Sequence, residues 1–477
     1  MFRTALAVVL PFIFSAQAGF AQNTKADSIL SDLDARQAAI SALSDTLWDF
    51  AELGYLEQKS SALLQDTLRA EGFAIDAGVA DIPTAFIASF GSGEPVIAIM
   101  GEFDALPGIS QAATPTEQAI EGKNSAQACG HNLFGAGSAA AAIAVKDWLA
   151  NTGQQGTIRF YGTPAEEGGS GKVYLVRAGL FNDVDTVLHW HPGAKNAADA
   201  ETSLANKSAK FRFKGISSHA AKSPEQGRSA LDAVEAMNFM VNLMREHVPQ
   251  ETRIHYVITD GGIAPNVVPN FAESFYYVRH PNAEVLQTIW ARVVKAAEAA
   301  AMGTGTELEF EVIHGNHSTL PNVTLGEVMH QSLSLVGGVN YSADEAAFAQ
   351  QIALTLPKGA YTPGAEREIQ PFKQGHTMGS TDVGDVSWNV PTAGLRTATF
   401  VPGTGLHSWQ AVAAGGMSIG HKGLMVAAKT MALTAVELLQ NPALIEQAKA
   451  EFEQRRGEDF KYEALLGDRE PPLDYRQ

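Results

Sequence analysis

The stretch Cys129-Gly130-His131-Asn132 is followed directly by a run of small residues from Leu133 to Ala150. Alanine has the highest helix propensity, so this run predicts a helix that starts at or just after His131. Gly130 permits a tight turn, which lets the Cys129 thiol and the His131 imidazole turn toward one point. Thiolate and neutral imidazole are natural ligands of Zn²⁺ and similar divalent ions. A lone cysteine is also commonly a small buried apolar residue, so the pair alone leaves both interpretations open.

Three short apolar runs around this stretch each end at polar residues. They are Pro95–Met100, Gly156–Tyr161 and Val184–Leu188, and each is typical of a buried strand. Polar loops follow these runs, and helical patterns follow the loops. This order predicts an α/β sheet whose functional groups lie at the carboxyl ends of its strands, where open α/β sheets place ligands.

Residues 205–320 have a different pattern. Strand patterns cover Ser208–Phe213, Arg253–Thr259, Ala272–Val278 and Glu307–Ile313, and helical patterns cover Ala230–Val248 and Ala283–Ala301. The order β-α-β-β-α-β is that of the ferredoxin-like unit, so we expect an inserted smaller domain. The expected organisation is a catalytic domain at 22–204 and 321–445, a lid and dimerisation domain at 205–320, and a tail at 446–477. The tail is polar and charged, so we expect it to be a surface helix and extension rather than a site.

Length and charge limit the function classes. The chain has 477 residues, more than one hydrophobic core usually serves, so two domains are expected. A formal net charge of −18 leaves no basic surplus to neutralise phosphates, which argues against nucleic acid as a partner. We also expect no membrane span after the N-terminal segment, because we find no later run that is long and apolar enough.

Residues 1–21 are typical of a secretory signal peptide. Arg3 supplies a positive start, Ala5–Phe14 is a short apolar run, and Ala16-Gln17-Ala18 or Gly19-Phe20-Ala21 offers a small-residue cleavage site. We therefore expect a periplasmic or secreted protein. Cys129 is the only cysteine, so a disulfide scaffold is excluded.

Five separate loops carry metal-type ligands or carboxylates after apolar strands or Gly-rich turns. The residues are Asp104, Cys129, His131, Glu166, Glu167, His191 and His407. Each alone has an ordinary explanation, such as a hydrogen-bonded core histidine or a solvated turn, but their conjunction favours a metal site. Adjacent glutamates in a strand-like loop point in opposite directions, so one can bind a metal while the other faces a bound water.

The motifs occur in the order D-A-L-P at Asp104, C-G-H at Cys129, E-E-G-G at Glu166, H-P at His191 and a late Gly-rich motif at His407. This set resembles the co-catalytic metallopeptidases related to aminoacylase and glutamate carboxypeptidase, and within them the amidohydrolase branch with a C-G-H ligand pair. The resemblance implies a phosphorylase/hydrolase-like catalytic domain with a mixed sheet and an inserted ferredoxin-like lid. It also implies two divalent metal ions per subunit, Zn²⁺ or Mn²⁺.

The resemblance also implies roles for individual residues. The implied metal ligands are Cys129, His131, Glu167, His191 and His407, with Glu166 as general base and Asp104 as a residue that orients a ligand. His191 is favoured over His189 because it lies at the expected distance from Asp185 in the family's D-x-x-x-x-x-H pattern. Other branches have a metal-binding histidine where this chain has Glu102, which is consistent with Cys129 taking over that role.

The inserted domain carries three further candidates. His219 resembles a lid histidine that stabilises the oxyanion in a neighbouring subunit's site, which implies a homodimer with shared sites. Asn266 lies in a motif that resembles the family's contact to the substrate backbone. Arg279 follows at the end of a strand and is either a bidentate clamp for a substrate carboxylate or one half of a surface ion pair. No role is assigned to His189, His376, Asp382 or His421.

The predicted function is metal-dependent hydrolysis of the amide bond in a small molecule. The candidate substrates are N-acyl or N-aroyl amino acids, with aminobenzoyl-glutamate as the leading suggestion, or small dipeptide-like amides. The alternative is an exported binding protein that holds metal without turnover, although the pair Glu166-Glu167 argues against it. A thiol hydrolase with Cys129 as nucleophile and His131 as base is disfavoured, because a separation of two residues is poor geometry for such a pair.

Overall fold

We describe the protein from a computed structural model that covers residues 16–476, with side chains described from residue 26 onward. Most of the predicted signal peptide therefore lies outside the described residues, and its last residues form the start of the first helix. The strands are β1 (Ala74–Ala77), β2 (Phe86–Ser92), β3 (Val96–Gly101), β4 (Leu106–Pro107), β5 (Ser125–Ala126), β6 (Gly156–Gly162), β7 (Thr186–Gly193), β8 (Ala200–Thr202), β9 (Ala205–Lys214), β10 (Arg253–Asp260), β11 (Phe271–His280), β12 (Glu307–Asn316), β13 (Gln374–His376) and β14 (Thr392–Ala398). The helices are α1 (Ala16–Phe50), α2 (Gln58–Ala70), α3 (His131–Thr152), α4 (Glu166–Gly169), α5 (Gly171–Arg177), α6 (Ala230–Met244), α7 (Ala283–Thr304), α8 (Val323–Val336), α9 (Ala343–Ala353), α10 (Val383–Ser387), α11 (Trp409–Gly415), α12 (Ser418–Gln440) and α13 (Pro442–Arg456).

The central sheet has six strands in the order β1-β2-β6-β3-β7-β14. Strand β3 is parallel to β6 and β7, and β7 is parallel to β14, whereas β2 is antiparallel to both β1 and β6. The sheet is therefore mixed, and the three predicted strands are its centre. The carboxyl ends of β3, β6 and β7 meet at one edge, as the sequence predicts for the functional groups.

Both faces of the central sheet are covered. Along β3, Ile97 and Ile99 pack into the cluster around α3 and α12, while Val96, Ala98 and Met100 pack into a second cluster with α5 and α10. A strand alternates its side chains between the two faces, so a strand buried on both sides is apolar throughout. This explains why the run at Pro95–Met100 has no polar residues.

Helix α3 begins at His131, as predicted. The residue before it, Gly130, has φ 78°, and a Cβ there would lie 2.8 Å from the Pro192 Cβ, so the turn requires glycine for both its conformation and its space. Gly153 ends the helix in the left-handed conformation, and its amide donates to the Leu149 carbonyl.

Helices α3 and α12 correct the expectation that no later segment is long and apolar enough to cross a membrane. Both meet that criterion by length and composition. In the fold, 89% of the apolar window of α3 and 83% of that of α12 is buried inside the protein. A helix that is apolar all round belongs in the core of a large domain as readily as in a bilayer.

The inserted segment forms a second sheet with the order β10-β11-β9-β12, in which every pairing is antiparallel. This is the strand order of a ferredoxin-like unit, and α6 and α7 pack against it. The segment has a hydrophobic cluster of its own, which includes Phe211, Tyr276 and Trp290. The β-α-β-β-α-β order predicted from the sequence is thus present.

Phe160 provides a test of the packing of the central sheet. Its ring is fully buried and stacks on Phe86 at 5.5 Å between centroids. We expect Phe160→Ala to lower the free energy of unfolding by about 3–5 kcal/mol, because a cavity remains where the ring was. Guanidinium denaturation measures the change. The matched control is Phe239→Ala, whose side chain is 65% exposed, and for which we expect a change within about 0.5 kcal/mol.

Candidate metal centre and active site

Side chains from five separate segments of the chain converge at the carboxyl edge of the central sheet. Three groups of ligand atoms each lie within 4.8 Å of one another: Cys129 with His131 and His191, Cys129 with Glu167 and His407, and Glu102 with His131 and Glu166. All five residues predicted as metal ligands, and the predicted general base, are therefore in this cluster. Asp104 lies beside it.

The first group contains a thiol and two imidazoles. The Cys129 Sγ lies 3.4 Å from the His191 Nε2, and the rings of His131 and His191 lie 5.6 Å apart at 86°. Burial, and then the neighbouring His131, lowers the pKa of His191 well below its usual value, so this imidazole is neutral and can bind a cation. His191 rather than His189 is thus in the cluster.

His189 lies two residues earlier on the same strand and lines the adjoining cavity. Burial, and then the positive charges of Lys172 and Arg396, lowers the pKa of His189 to about 3. Its ring packs against Gly394: a Cβ on residue 394 would lie only 2.3 Å from the His189 Nε2. His189 is accordingly a neutral part of the cavity wall.

The second group joins the loop after β6 to the loop before α11. The Glu167 Oε1 lies 3.3 Å from the His407 Nε2. His407 has φ 59°, an uncommon conformation for a residue other than glycine, and its amide donates to the Ala128 carbonyl at 3.0 Å. The backbone therefore fixes His407 beside the Cys129 loop.

Glu102 belongs to the cluster, although the sequence motifs give it no role of its own. It is fully buried directly after β3, with its Oε2 3.1 Å from the His131 Nε2 and its Oε1 2.6 Å from the Lys172 ammonium group. The sequence signal for it is its position at the carboxyl end of an apolar strand, two residues before Asp104. The family resemblance indicates only that Glu102 stands where other branches of the family have a metal-binding histidine.

Asp104 lies where the resemblance implied. Its Oδ1 is 3.0 Å from the His131 Nδ1, and its Oδ2 accepts a hydrogen bond from the Glu167 amide at 2.9 Å. One buried carboxylate therefore orients both an imidazole and a carboxylate of the cluster. Such contacts to a ligand fix its tautomer and direction.

The loop that carries Glu166 and Glu167 differs from the expectation of a strand-like loop. It is a short helical turn flanked by left-handed residues, with φ 57° at Ala165 and 60° at Ser170. The left-handed conformation costs about 1–2 kcal/mol for each residue other than glycine. In this turn, and not by strand alternation, Glu166 faces Glu102 and His131 while Glu167 faces Cys129 and His407.

Buried polar atoms in the cluster are suited to a metal ion. Among the described residues, the Glu102 Oε2, the His131 Nε2 and the Glu167 Oε1 are buried and form no hydrogen bond. They face one another or His407 only at ion-pair distance, with 3.1 Å between Glu102 and His131 and 3.3 Å between Glu167 and His407. Enclosure in the protein, and then the charges of Glu102 and Glu167, raises the pKa of Glu166 well above its usual value. Divalent cations would bind these buried atoms and offset the crowding of negative charge, so the residues present fit metal ions.

A cavity of about 580 Å³ adjoins the cluster. Its wall includes the guanidinium groups of Arg279, Arg396 and Arg476. Arg279 donates to the Ser380 hydroxyl at 3.3 Å and lies over the Tyr277 ring, and it forms no ion pair with any residue that the structure describes. The cavity wall therefore combines residues of the cluster with three arginines.

Five other candidates do not line this cavity. His219 and Asn266 are exposed on the inserted domain, where the Asn266 carbonyl accepts from the Ala220 amide. His376 is exposed, and His421 lies 2.7 Å from Asp45. Asp382 is buried and accepts hydrogen bonds from the ammonium group and the amide of Lys172 at 2.7 and 2.9 Å. It therefore fixes the lysine that pairs with Glu102.

Comparison with known proteins gives the family. The model of peptidase family M20/M25/M40 matches residues 98–432. The chain belongs to this family. It is 44% identical to the B component of p-aminobenzoyl-glutamate hydrolase of Escherichia coli (strain K12) over 451 residues, which are 88% of this chain and 93% of that protein. It is 29% identical to the Xaa-Arg dipeptidase of Mus musculus over 434 residues, 88% of this chain and 90% of the dipeptidase.

Solved structures share the fold of this M20/M25/M40 member. A dinuclear metal-binding peptidase of the M20 family from Bacillus subtilis has a TM-score of 0.57 and 20% identity, and the match covers 85% of this chain and 99% of that one. The resemblance inferred from the motifs is thus confirmed. The chain is a metal-dependent amidohydrolase with the mixed α/β fold of its family.

Asp104 offers a test of the metal centre. We expect Asp104→Asn to weaken metal binding by roughly 10- to 100-fold, because the amide cannot hold both the His131 ring and the Glu167 loop. Competition with a chromophoric chelator measures the affinity. The control is Asp183→Asn, a surface carboxylate paired with Arg159, which should leave it unchanged. Equal affinities in both variants would contradict an orienting role for Asp104.

Proposed function

We propose that this chain hydrolyses the amide bond of N-aroyl or N-acyl amino acids. The observation that carries the proposal is the position of Glu166. Its carboxylate lies among the ligand atoms of the cluster and also faces the cavity, so it can reach a water molecule at the cluster and the scissile amide together. The names of the curated relatives, an aroyl-glutamate hydrolase and a dipeptidase, point to the same class of bond.

Glu166 acts as the general base and then as the general acid in this proposal. Divalent ions, when bound, lower the pKa of a water molecule and polarise the amide carbonyl. The Glu166 carboxylate takes the proton from that water and delivers it to the leaving nitrogen. Its raised pKa favours the second step, since burial stabilises the protonated carboxyl group that delivers the proton.

Cys129, His131, Glu167, His191 and His407 would hold the metal ions. One donor group consists of Cys129, His131 and His191, and the other of Cys129, Glu167 and His407, so the five proposed ligands fall into two sets with one common member. Thiolate and imidazole suit Zn²⁺, and the carboxylate tolerates Mn²⁺. We propose Zn²⁺ or Mn²⁺ at both positions.

Arginines that line the cavity would bind the carboxylate of the substrate. Among the described residues, neither Arg279 nor Arg396 forms an ion pair with a carboxylate, although both line the cavity. A guanidinium group binds a carboxylate through two parallel hydrogen bonds. An amino-acid product with a free carboxylate therefore suits these two arginines better than a neutral amide does.

We also propose an assembly and a location. His219 and Asn266 are exposed and do not line the cavity of their own chain, so the role that the resemblance implies for His219 would be at a neighbouring subunit's site, which supports the proposed homodimer. The Escherichia coli relative is named as one component of its hydrolase, which makes assembly with a second, different chain the alternative. We propose export to the periplasm or beyond on the basis of residues 1–21.

Removal of the metal tests the reaction class. We expect a chelator to abolish hydrolysis of aroyl-glutamates, acyl-amino acids or dipeptides, and Mn²⁺ or Zn²⁺ to restore it. Product release is measured by chromatography, and metal content by elemental analysis. Activity that persists in metal-free protein would exclude the proposal, and metal-loaded protein that binds but does not cleave the panel would support a binding protein instead.

Replacement of the base tests the role of Glu166. We expect Glu166→Gln to retain the metal but to lower kcat by about 10²- to 10⁴-fold, because the amide cannot accept the proton. The control is Glu94→Gln, an exposed glutamate before β3 that should keep the full rate. A near-normal rate for Glu166→Gln would remove this residue from the mechanism.

A further inference from the structure

The last residues of the chain contact the loop that carries Glu166 and Glu167. The Tyr475 hydroxyl donates to the Glu167 carbonyl at 3.0 Å, and the Arg476 Nη2 donates to the same oxygen at 2.6 Å. Arg476 also lines the cavity. This corrects the expectation that the tail at 446–477 is a surface extension without a part in the site.

The loop needs support because its backbone is strained. Ala165 and Ser170 on either side of the two glutamates are left-handed, and such residues persist only where the surrounding structure determines them. Two backbone amides of the loop donate to side chains of the catalytic domain. The Ala165 amide donates to the Glu57 carboxylate at 2.8 Å, and the Glu167 amide donates to the Asp104 carboxylate. The Glu167 carbonyl, in contrast, accepts both of its hydrogen bonds from the tail.

The tail is fitted to the loop by shape as well as by hydrogen bonds. The Tyr475 ring packs edge-on against Tyr55 at 5.6 Å, and the Tyr55 hydroxyl donates to the Gly169 carbonyl at 2.6 Å. A Cβ at Gly54 would lie 2.6 Å from the Tyr475 hydroxyl, and one at Gly169 would lie 3.2 Å from it. Glycine at both positions leaves the room that the tyrosine occupies.

Earlier parts of the tail are attached along both domains. Leu465 is buried in the cluster of the inserted domain, and Leu466 in the cluster beside α5. Further on, Arg469 donates to the Ile313 carbonyl at 3.0 Å and pairs with Glu311 at 2.9 Å, both on β12. These contacts at Leu465, Leu466 and Arg469 hold the tail in place and lead residues 475 and 476 to the loop.

We propose that Tyr475 and Arg476 are positioning residues, which hold the Glu167 carbonyl and thereby aim the Glu166 and Glu167 carboxylates at the metal centre. Neither is a catalytic residue, since each acts through the loop. The inference rests on the proposed function for the roles of the two glutamates, but the contact of the tail with the loop does not depend on that function.

The test compares three variants with two controls. Deletion of residues 475–477 removes the contact, Tyr475→Phe removes one hydrogen bond and keeps the ring, and Arg476→Gln removes the charged donor. The controls are deletion of Gln477 alone and Asp468→Asn, an exposed residue of the same tail. The two point variants keep the test valid where the deletion variant does not fold.

Hydrogen exchange in the metal-free chain reports the contact without reference to activity. We expect the amides of the segment 163–172 to exchange about 10-fold faster in the three variants, while those in the core of α3 stay unchanged. In the metal-loaded chain we expect kcat to fall by roughly 10- to 100-fold with KM changed less than about threefold, since a displaced base lowers turnover more than binding. The controls should match the parent chain in both measurements.

Two results would overturn the inference. One is unchanged exchange and unchanged kcat after deletion of residues 475–477. The other is an equal loss in the control variants, which would make the effect one of general stability. Faster loop exchange together with a full rate for Glu166→Gln would retain the contact and reject the proposed function, so the two failures are distinguishable.

Discussion

Negative charge is concentrated at the carboxyl edge of the central sheet. Glu102 and Asp104 are fully buried there, and Glu166 and Glu167 line the cavity beside them. The ammonium group of Lys172 bonds Glu102 at 2.6 Å and Asp382 at 2.7 Å, but it does not reach the two glutamates of the loop. Because a buried carboxylate is costly when its charge is not compensated, bound divalent cations would offset the charge of this edge, which links metal binding to the integrity of the site.

Backbone conformations that are rare elsewhere bring the ligands to this edge. Gly130 turns the chain so that Cys129 and His131 share one group of ligand atoms, and His407 is held in a left-handed conformation beside them. The turn around Glu166 is left-handed on both sides. Such conformations cluster at functional sites because the rest of the fold maintains them. The rigid, doubly covered sheet supplies that support at the strand ends.

The wall of the cavity contains two kinds of groups with complementary chemistry. The cluster of thiol, imidazole and carboxylate groups is suited to cations, whereas Arg279 and Arg396 in the same cavity wall are suited to an anion. A molecule with an amide at one end and a carboxylate at the other satisfies both. The fold achieves this by combining strands of the catalytic domain with β11 of the inserted domain, so neither domain forms the cavity alone.

The sequence by itself determined the family, the mixed α/β sheet, the ferredoxin-like insertion and six residues of the cluster, because these depend on local patterns and short motifs. Cys129, His131 and Glu166 stand in motifs that can be recognised without coordinates. Tertiary structure alone decided that Glu102 joins the cluster and that α3 and α12 are core helices rather than membrane spans. It also decided that Arg476 bonds Glu167, a residue 309 positions earlier in the chain. Contacts of that kind arise from how the whole chain packs, and no periodicity or motif in a single segment encodes them.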